Sequence, residues 1–199
     1  MRQSLLILKL LVFAYLIYLL QILVFTYDAT DPSFHPPVIL FIVDWINLFI
    51  HEAGHFVFRI FGQWVYILGG SLMQILLPAL LSFVTWRQKS WRHIAFPLFW
   101  TGENMFNVTM YIRDAPYRRL HLLGRGLIHD WHWLLNGDPD AAELLGGMMF
   151  GLAVFVCLAA IGLGIWSAVL GFRESRNDDD FDQPRISPST THHHSIHAS

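Results

Sequence analysis

The stretch VILFIVDWINLFIHEAGHFVFRIF, Val38–Phe61, decides how the rest of the chain is read. It is long and apolar enough for a membrane helix, which needs about 20 residues. Yet it carries Asp44, Asn47, His51, Glu52 and His55. Ionisable side chains inside an apolar helix are costly, so they mark a functional site by default. His51 and His55 stand four residues apart and share one face of a helix, where two imidazoles can grip one ion. The pattern His51-Glu52-Ala53-Gly54-His55 is HExxH. Zinc suits nitrogen ligands, and catalytic zinc usually takes three protein ligands and a water. Glu52, beside the first ligand, is placed to take a proton from a water that the metal makes more acidic, and then to shuttle it. Gly54, without a side chain, lets another element come close to the metal. A few tolerated polar residues on a helix face would give the same letters, but the cost of burying them favours a metal site.

Composition agrees with a membrane setting. The chain has 199 residues, 54% hydrophobic and 14% charged, with net charge −2. Soluble domains average about 25% charged residues. Nucleic acid is not an expected partner, because phosphate binding needs a clear basic excess. The single cysteine, Cys157, lies in an apolar run and has no partner for an internal disulfide.

Working outward from Val38–Phe61, the spacing predicts an all-α integral membrane protein with about five membrane helices. The first is Ser4–Tyr27, too long for a cleaved signal's apolar core and read as a retained helix. The polar connector DATDPSFHPP, Asp28–Pro37, follows it, and Gly62–Tyr66 is a short turn. The third apolar stretch, Leu68–Trp86, holds Gly69, Gly70 and Pro78 and is expected to be kinked or re-entrant. Ile94–Ile112 is a fourth, more polar span, and Ala141–Phe172 the last, rich in small residues that allow close helix packing. Between these two, RRLHLLGRGLIHDWHWLLN (118–136) is expected to contain a further loop helix carrying HDW. Residues 1–172 form one membrane-embedded domain, and 173–199 read as a disordered polar tail. The expected location is a cell membrane, crossed several times. The basic clusters fall on opposite sides of it, so charge assigns no orientation.

The third metal ligand must come from elsewhere in the chain. If Leu120–Leu135 is helical, Asp130 shares a stripe with Leu123, Leu127 and Leu134 and faces the apolar side. A carboxylate there needs a partner, and a metal would serve. Asp130 is therefore favoured, His129 comes next, and Asp114 remains a candidate; a non-ligand among them can orient the others. His132 reads as an interfacial histidine between tryptophans. Gln74, Asn104 and Asn107 offer amides for substrate binding or oxyanion stabilisation, with Asn104 favoured as a catalytic contributor. Glu103 is expected to face the basic, aromatic loop WRQKSWRH (86–93) or a cavity. The tail histidines His192, His193, His194 and His197 read as solvated.

A multi-span protein with HExxH inside an apolar helix resembles the site-2 protease family of intramembrane zinc metalloproteases (M50-type peptidases). The resemblance rests on His51, Glu52 and His55, loosely on the glycine-led third span, and more weakly on Asp130. It implies two histidines and an aspartate on zinc, a glutamate that activates water, and a membrane-protein or membrane-adjacent peptide as substrate. The family's aspartate normally sits in an LDG- or NPDG-like motif within a membrane helix; here it lies in IHDWHW. The expected function is an intramembrane zinc endopeptidase of the lipid bilayer. The alternatives are another metal-dependent membrane hydrolase acting on a lipid or small amide, and a non-catalytic metal-binding scaffold.

Overall fold

The computed structural model describes residues 2–90, 93–120 and 128–182, with side chains described within 3–174. Among the described residues all regular structure is helical. In chain order these are α1 (Arg2–Phe25), α2 (Val38–Phe58), α3 (Gln63–Arg87), α4 (Ala95–Arg113), α5 (Asp130–Leu135) and α6 (Pro139–Asp182). A 3-10 turn, Arg59–Phe61, extends α2.

Among the described residues, four helices are long and apolar enough to cross a membrane: Gln3–Phe25, Val38–Phe61, Gln63–Arg87 and Pro139–Glu174. Their outward faces carry large apolar side chains such as Phe25, Phe56, Ile60 and Phe155. In water a patch of this extent would associate; against lipid tails it is at home. The expected fourth span, now α4, is not among the four. The reason is its polar load: Thr101, Glu103, Asn104 and Thr109 are all buried on it. Those side chains are covered by neighbouring helices, because α4 packs between α3 on one side and α6 on the other. Helix α1 lies against α6, and α2 against α3. A core of Phe13, Leu16, Leu20, Phe99, Phe106, Ala153, Cys157 and Ala160 joins α1, α4 and α6.

The third apolar stretch is unbroken: α3 is one α-helix of 25 residues with Pro78 inside it. Proline removes one helix hydrogen bond, a loss that neighbouring helices and hydroxyl side chains make tolerable at membrane depth. The carbonyl that loses its donor is that of Gln74; separately, Ser82 Oγ donates to the Pro78 carbonyl at 2.9 Å, one turn on. Gly69 and Gly70, which look like helix breakers in the sequence, serve contact instead. A Cβ on Gly69 would stand 2.7 Å from Phe58 Cβ, and one on Gly70 would stand 2.5 Å from the His51 ring. A Cβ on Gly54 would run into the Gly69 carbonyl oxygen. The α2 and α3 backbones therefore touch, as small residues allow in membrane helix pairs. The corner between them is concentrated at Gly62, whose φ of 91° lies in the region that favours glycine.

Two further expectations change. The loop helix is short: α5 has six residues and starts at Asp130. Residues 118–120 are not helical. Arg118 takes a left-handed φ of 55°, and the Asp114 carboxylate accepts from the Arg119 and Leu120 backbone amides at 2.9 Å each, holding the chain in a turn. The remainder of the expected loop helix, 121–127, lies outside the described residues, as do 91–92 of the basic loop. At the other end, α6 runs on to Asp182, past the boundary at 172 expected for the last span. Residues 183–199, with the tail histidines, lie outside the described residues.

Candidate metal centre

Helix α2 aims one stripe inward: Leu40, Asn47, His51 and Gly54 are its buried residues. His55 follows His51 by one turn and is half-buried. Helix α5, packed on α3 and α4, brings its first residue to the same place. Asp130 Oδ2 lies 2.9 Å from His51 Nε2 and 3.2 Å from His55 Nε2. The two Nε2 atoms are 3.2 Å apart. His51, His55 and Asp130 thus form a group that could hold a metal ion.

Two physical tests support that statement. The first is size. An ion bonded tetrahedrally at about 2.0–2.1 Å needs ligand atoms about 3.3 Å apart; the triangle here has sides of 2.9, 3.2 and 3.2 Å. The second is the bookkeeping of protons. His55 Nδ1 donates to the Tyr66 carbonyl at 2.8 Å, and His51 Nδ1 faces Gln74 Oε1 at 3.3 Å. Those outer partners place each neutral ring's proton on Nδ1 and leave a bare lone pair on Nε2. Two lone pairs and a carboxylate oxygen then face one another with no hydrogen between them, an arrangement a cation satisfies. Burial raises the pKa of Asp130, while protonated rings at His51 and His55 would outweigh it and hold the carboxyl below its ordinary range. With the rings neutral, a cation at the same place exerts that pull, and a ligand carboxyl must be ionised.

The other two candidates for third ligand are occupied with each other. His129 Nε2 donates to Asp114 Oδ2 at 3.1 Å, and His129 Nδ1 accepts from the His132 backbone amide at 3.2 Å, capping α5. Neither His129 nor Asp114 belongs to the group at His51. Burial pushes the His129 pKa down against the opposing pull of Asp114, so the ring stays neutral. His132, expected only to sit between tryptophans, holds the Ala115 carbonyl at 2.8 Å through Nδ1, and Trp131 Nε1 donates to Ser71 Oγ at 3.0 Å. These bonds pin α5. Asp130 faces inward because it opens this pinned helix, not because it lies on a stripe of a long one.

A cavity of about 750 Å³ opens beside the group and is lined by His51, Glu52, His55 and Asp130 together with Gln74, Tyr111, Asp44 and Asn107. Glu52 is exposed to it and is not part of the metal group. Asn104, favoured from the sequence as a catalytic contributor, is not in the wall. It is fully buried, and its amide nitrogen donates to the Trp100 carbonyl at 2.9 Å. Asn107, one turn along, takes the wall position.

Comparison of the chain with protein-family models, curated proteins and solved structures found no match. The site is therefore read from its own geometry.

That geometry includes a polar network not drawn from the sequence. Asn107 Nδ2 donates to both Asp44 Oδ1, at 3.0 Å, and Glu103 Oε1, at 2.7 Å. Asn47 Nδ2 donates to Glu103 Oε2 at 2.8 Å, and Trp100 Nε1 to Asn47 Oδ1 at 2.8 Å. Glu103 is thus enclosed behind the cavity wall by asparagines of α2 and α4. A signal for this existed: Asp44, Asn47 and His51 are spaced three and four apart, one polar stripe on an apolar helix. Their partners on α4 could not be named without the packing.

Proposed function

We propose that the chain is a membrane-embedded, zinc-dependent endopeptidase of the site-2 protease type, in which α4 makes a fifth membrane pass. The convergence of two proton-free Nε2 atoms and one carboxylate oxygen within 2.9–3.2 Å, beside Glu52 in the same cavity, carries the reading. His51, His55 and Asp130 would hold the ion. When bound, it supplies Lewis acidity, polarising a carbonyl and making water more acidic. Glu52 takes a proton from the attacking water and returns it to the leaving amine. The Gln74 and Tyr66 oxygens keep the two imidazoles turned with Nε2 inward. Tyr111 and α5 hold Asp130 from behind, through the Asp130 amide that donates to Tyr111 Oη at 3.0 Å.

The departure from an LDG-like motif has a physical sense in this reading. A membrane helix is not needed to present the third ligand when a short pinned helix does so. The cavity is large enough for several residues of an unwound peptide, since ligand cavities run to about 300–1,000 Å³.

The test is direct. Full-length protein purified in detergent is expected to carry one zinc per chain. It is also expected to cleave an internally quenched hydrophobic peptide. Glu52→Gln should keep the metal and lose cleavage, and His51→Ala should lose both. Protein without stoichiometric metal would sink the reading. Cleavage of a lipid ester but not of peptide would move it to a lipid hydrolase.

A further inference from the structure

We propose that the Tyr111 hydroxyl is the donor that stabilises the oxyanion formed on the substrate carbonyl, an inference that rests on the hydrolase reading above. Tyr111, on α4, lines the cavity together with His51, Glu52 and Asp130. Its ring lies 5.6 Å from the His51 ring and 4.3 Å from the His129 ring, centre to centre. It meets the His51 ring edge-on and the His129 ring at a tilt, so both histidines bear on its orientation. Its oxygen accepts the Asp130 backbone N–H at 3.0 Å. That bond ties the hydroxyl to the residue that presents the third ligand atom, so donor and metal group keep a fixed spacing.

A phenol oxygen can accept and still donate its own hydrogen. Here the acceptor side is used by backbone, and the hydrogen has two destinations. One is the Asp130 carboxylate, against which Tyr111 lies. The other is a carbonyl oxygen entering the cavity. The Asp130 carboxylate is turned to the metal group, its Oδ2 within 2.9–3.2 Å of the two Nε2 atoms, where a bound ion would take its charge. A full negative charge developing on a carbonyl oxygen is the stronger acceptor, because hydrogen bonds to an oxyanion are charge-assisted.

Of the amides in the wall, Asn107 Nδ2 is divided between Asp44 and Glu103, and Gln74 turns its oxygen to His51 Nδ1. Tyr111 is a wall donor tied by a hydrogen bond to the residue that closes the metal group, and its own hydrogen can turn to a substrate oxygen.

The chemistry balances without transfer of the Tyr111 proton. Water oxygen forms a bond to the carbonyl carbon, the carbonyl π pair moves to oxygen, and Glu52 takes the water proton. Tyr111 donates a hydrogen bond to that oxygen. The oxyanion then collapses, the C–N bond breaks, and Glu52 returns the proton to nitrogen, leaving a carboxyl group and an amine.

The test uses full-length, zinc-loaded protein in detergent. Its probes are the quenched hydrophobic peptide and a phosphinic peptide of the same sequence, whose tetrahedral phosphorus mimics the intermediate. Tyr111→Phe is expected to lower kcat by about 10²–10³-fold, the usual cost of one oxyanion donor. KM and zinc content should stay at the wild-type level. Phosphinate binding should weaken by a similar factor. Binding of the uncleaved peptide, measured in a Glu52→Gln background, should not change. Tyr111→Phe with wild-type kcat and phosphinate affinity would overturn the proposal. So would loss of zinc from Tyr111→Phe, which would make Tyr111 a support for Asp130 only. Should Tyr111→Phe not fold, 3-fluorotyrosine at position 111 keeps ring and hydroxyl while strengthening the donor. It is expected to tighten phosphinate binding, and unchanged affinity would overturn the proposal. If wild-type protein neither cleaves the peptide nor binds the phosphinate, the hydrolase reading falls and takes this inference with it. If wild type does both and only the Tyr111 effects are missing, this inference alone falls.

Discussion

Gly70→Ala is the sharpest perturbation of the metal group that leaves every ligand in place. A Cβ at Gly70 would stand 2.5 Å from His51 Nε2, 2.6 Å from Cε1 and 2.7 Å from Cδ2. Comfortable carbon contacts begin near 3.5 Å, so the ring would have to move by about 1 Å. The ring has little freedom to do so. His51 is 7% exposed, and its far nitrogen is held by Gln74 at 3.3 Å. A metal site tolerates departures of only about 0.2 Å in ligand distance. A 1 Å shift therefore removes Nε2 from the triangle, and affinity for zinc should fall by at least the 10–100-fold seen for lost outer partners. Overpacking should also lower stability by about 1–3 kcal/mol. The assay is competition for zinc with a fluorescent chelator, run beside thermal unfolding. Gly147→Ala is the control, because a Cβ there meets nothing within 4 Å. If Gly70→Ala binds zinc as tightly as wild type, His51 Nε2 is not a ligand and the geometry above is the wrong basis for the site.

Four other outcomes follow from the same contacts. Saturating zinc should stabilise the wild-type fold by about 2.7 kcal/mol at a hundred times its dissociation constant, and Asp130→Ala should abolish that gain in a melting experiment. His129→Ala removes the α5 cap and the partner of buried Asp114. It should lower stability by about 1–3 kcal/mol and weaken zinc binding while leaving its stoichiometry at one; complete loss of binding would make His129 a ligand. Gln74→Leu frees the His51 ring and should weaken zinc binding about tenfold, a result checked by the same chelator titration. Asn107→Leu strips a shared donor from Asp44 and Glu103 and should cost about 1–3 kcal/mol for each acceptor left unpaired, read by chemical unfolding in mixed micelles.

Much of the architecture follows from local pattern. Val38–Phe61 reads as a membrane-length helix with two histidines on one face, and the structure has a candidate span with those bounds. Runs of apolar residues report helix length directly, because the bilayer leaves the backbone no other way to pair its polar groups. Local pattern is weaker wherever a residue has two uses. Gly69 and Gly70 look like breaks, yet they sit inside α3 because their lack of side chains admits Phe58 and His51. Helix α4 falls short as an apolar span because of its polar residues, and most of these find partners on α2 and within its own turns.

By itself the sequence determined the helical class, the HExxH pair and the short list Asp130, His129 and Asp114 for a third ligand. Tertiary structure brings one of the three, Asp130, into a group with the two histidines that could hold a metal ion. Asp114 and His129 spend their polar atoms on each other and on the turn before α5, which leaves Asp130 at the helix start, 2.9 Å from His51. The physical reason is that a ligand from a distant segment is selected by where its backbone is anchored. The anchors here are hydrogen bonds that α5 donates to Tyr111, Ser71 and Ala115, whose distance in sequence from Asp130 hides them from any local pattern.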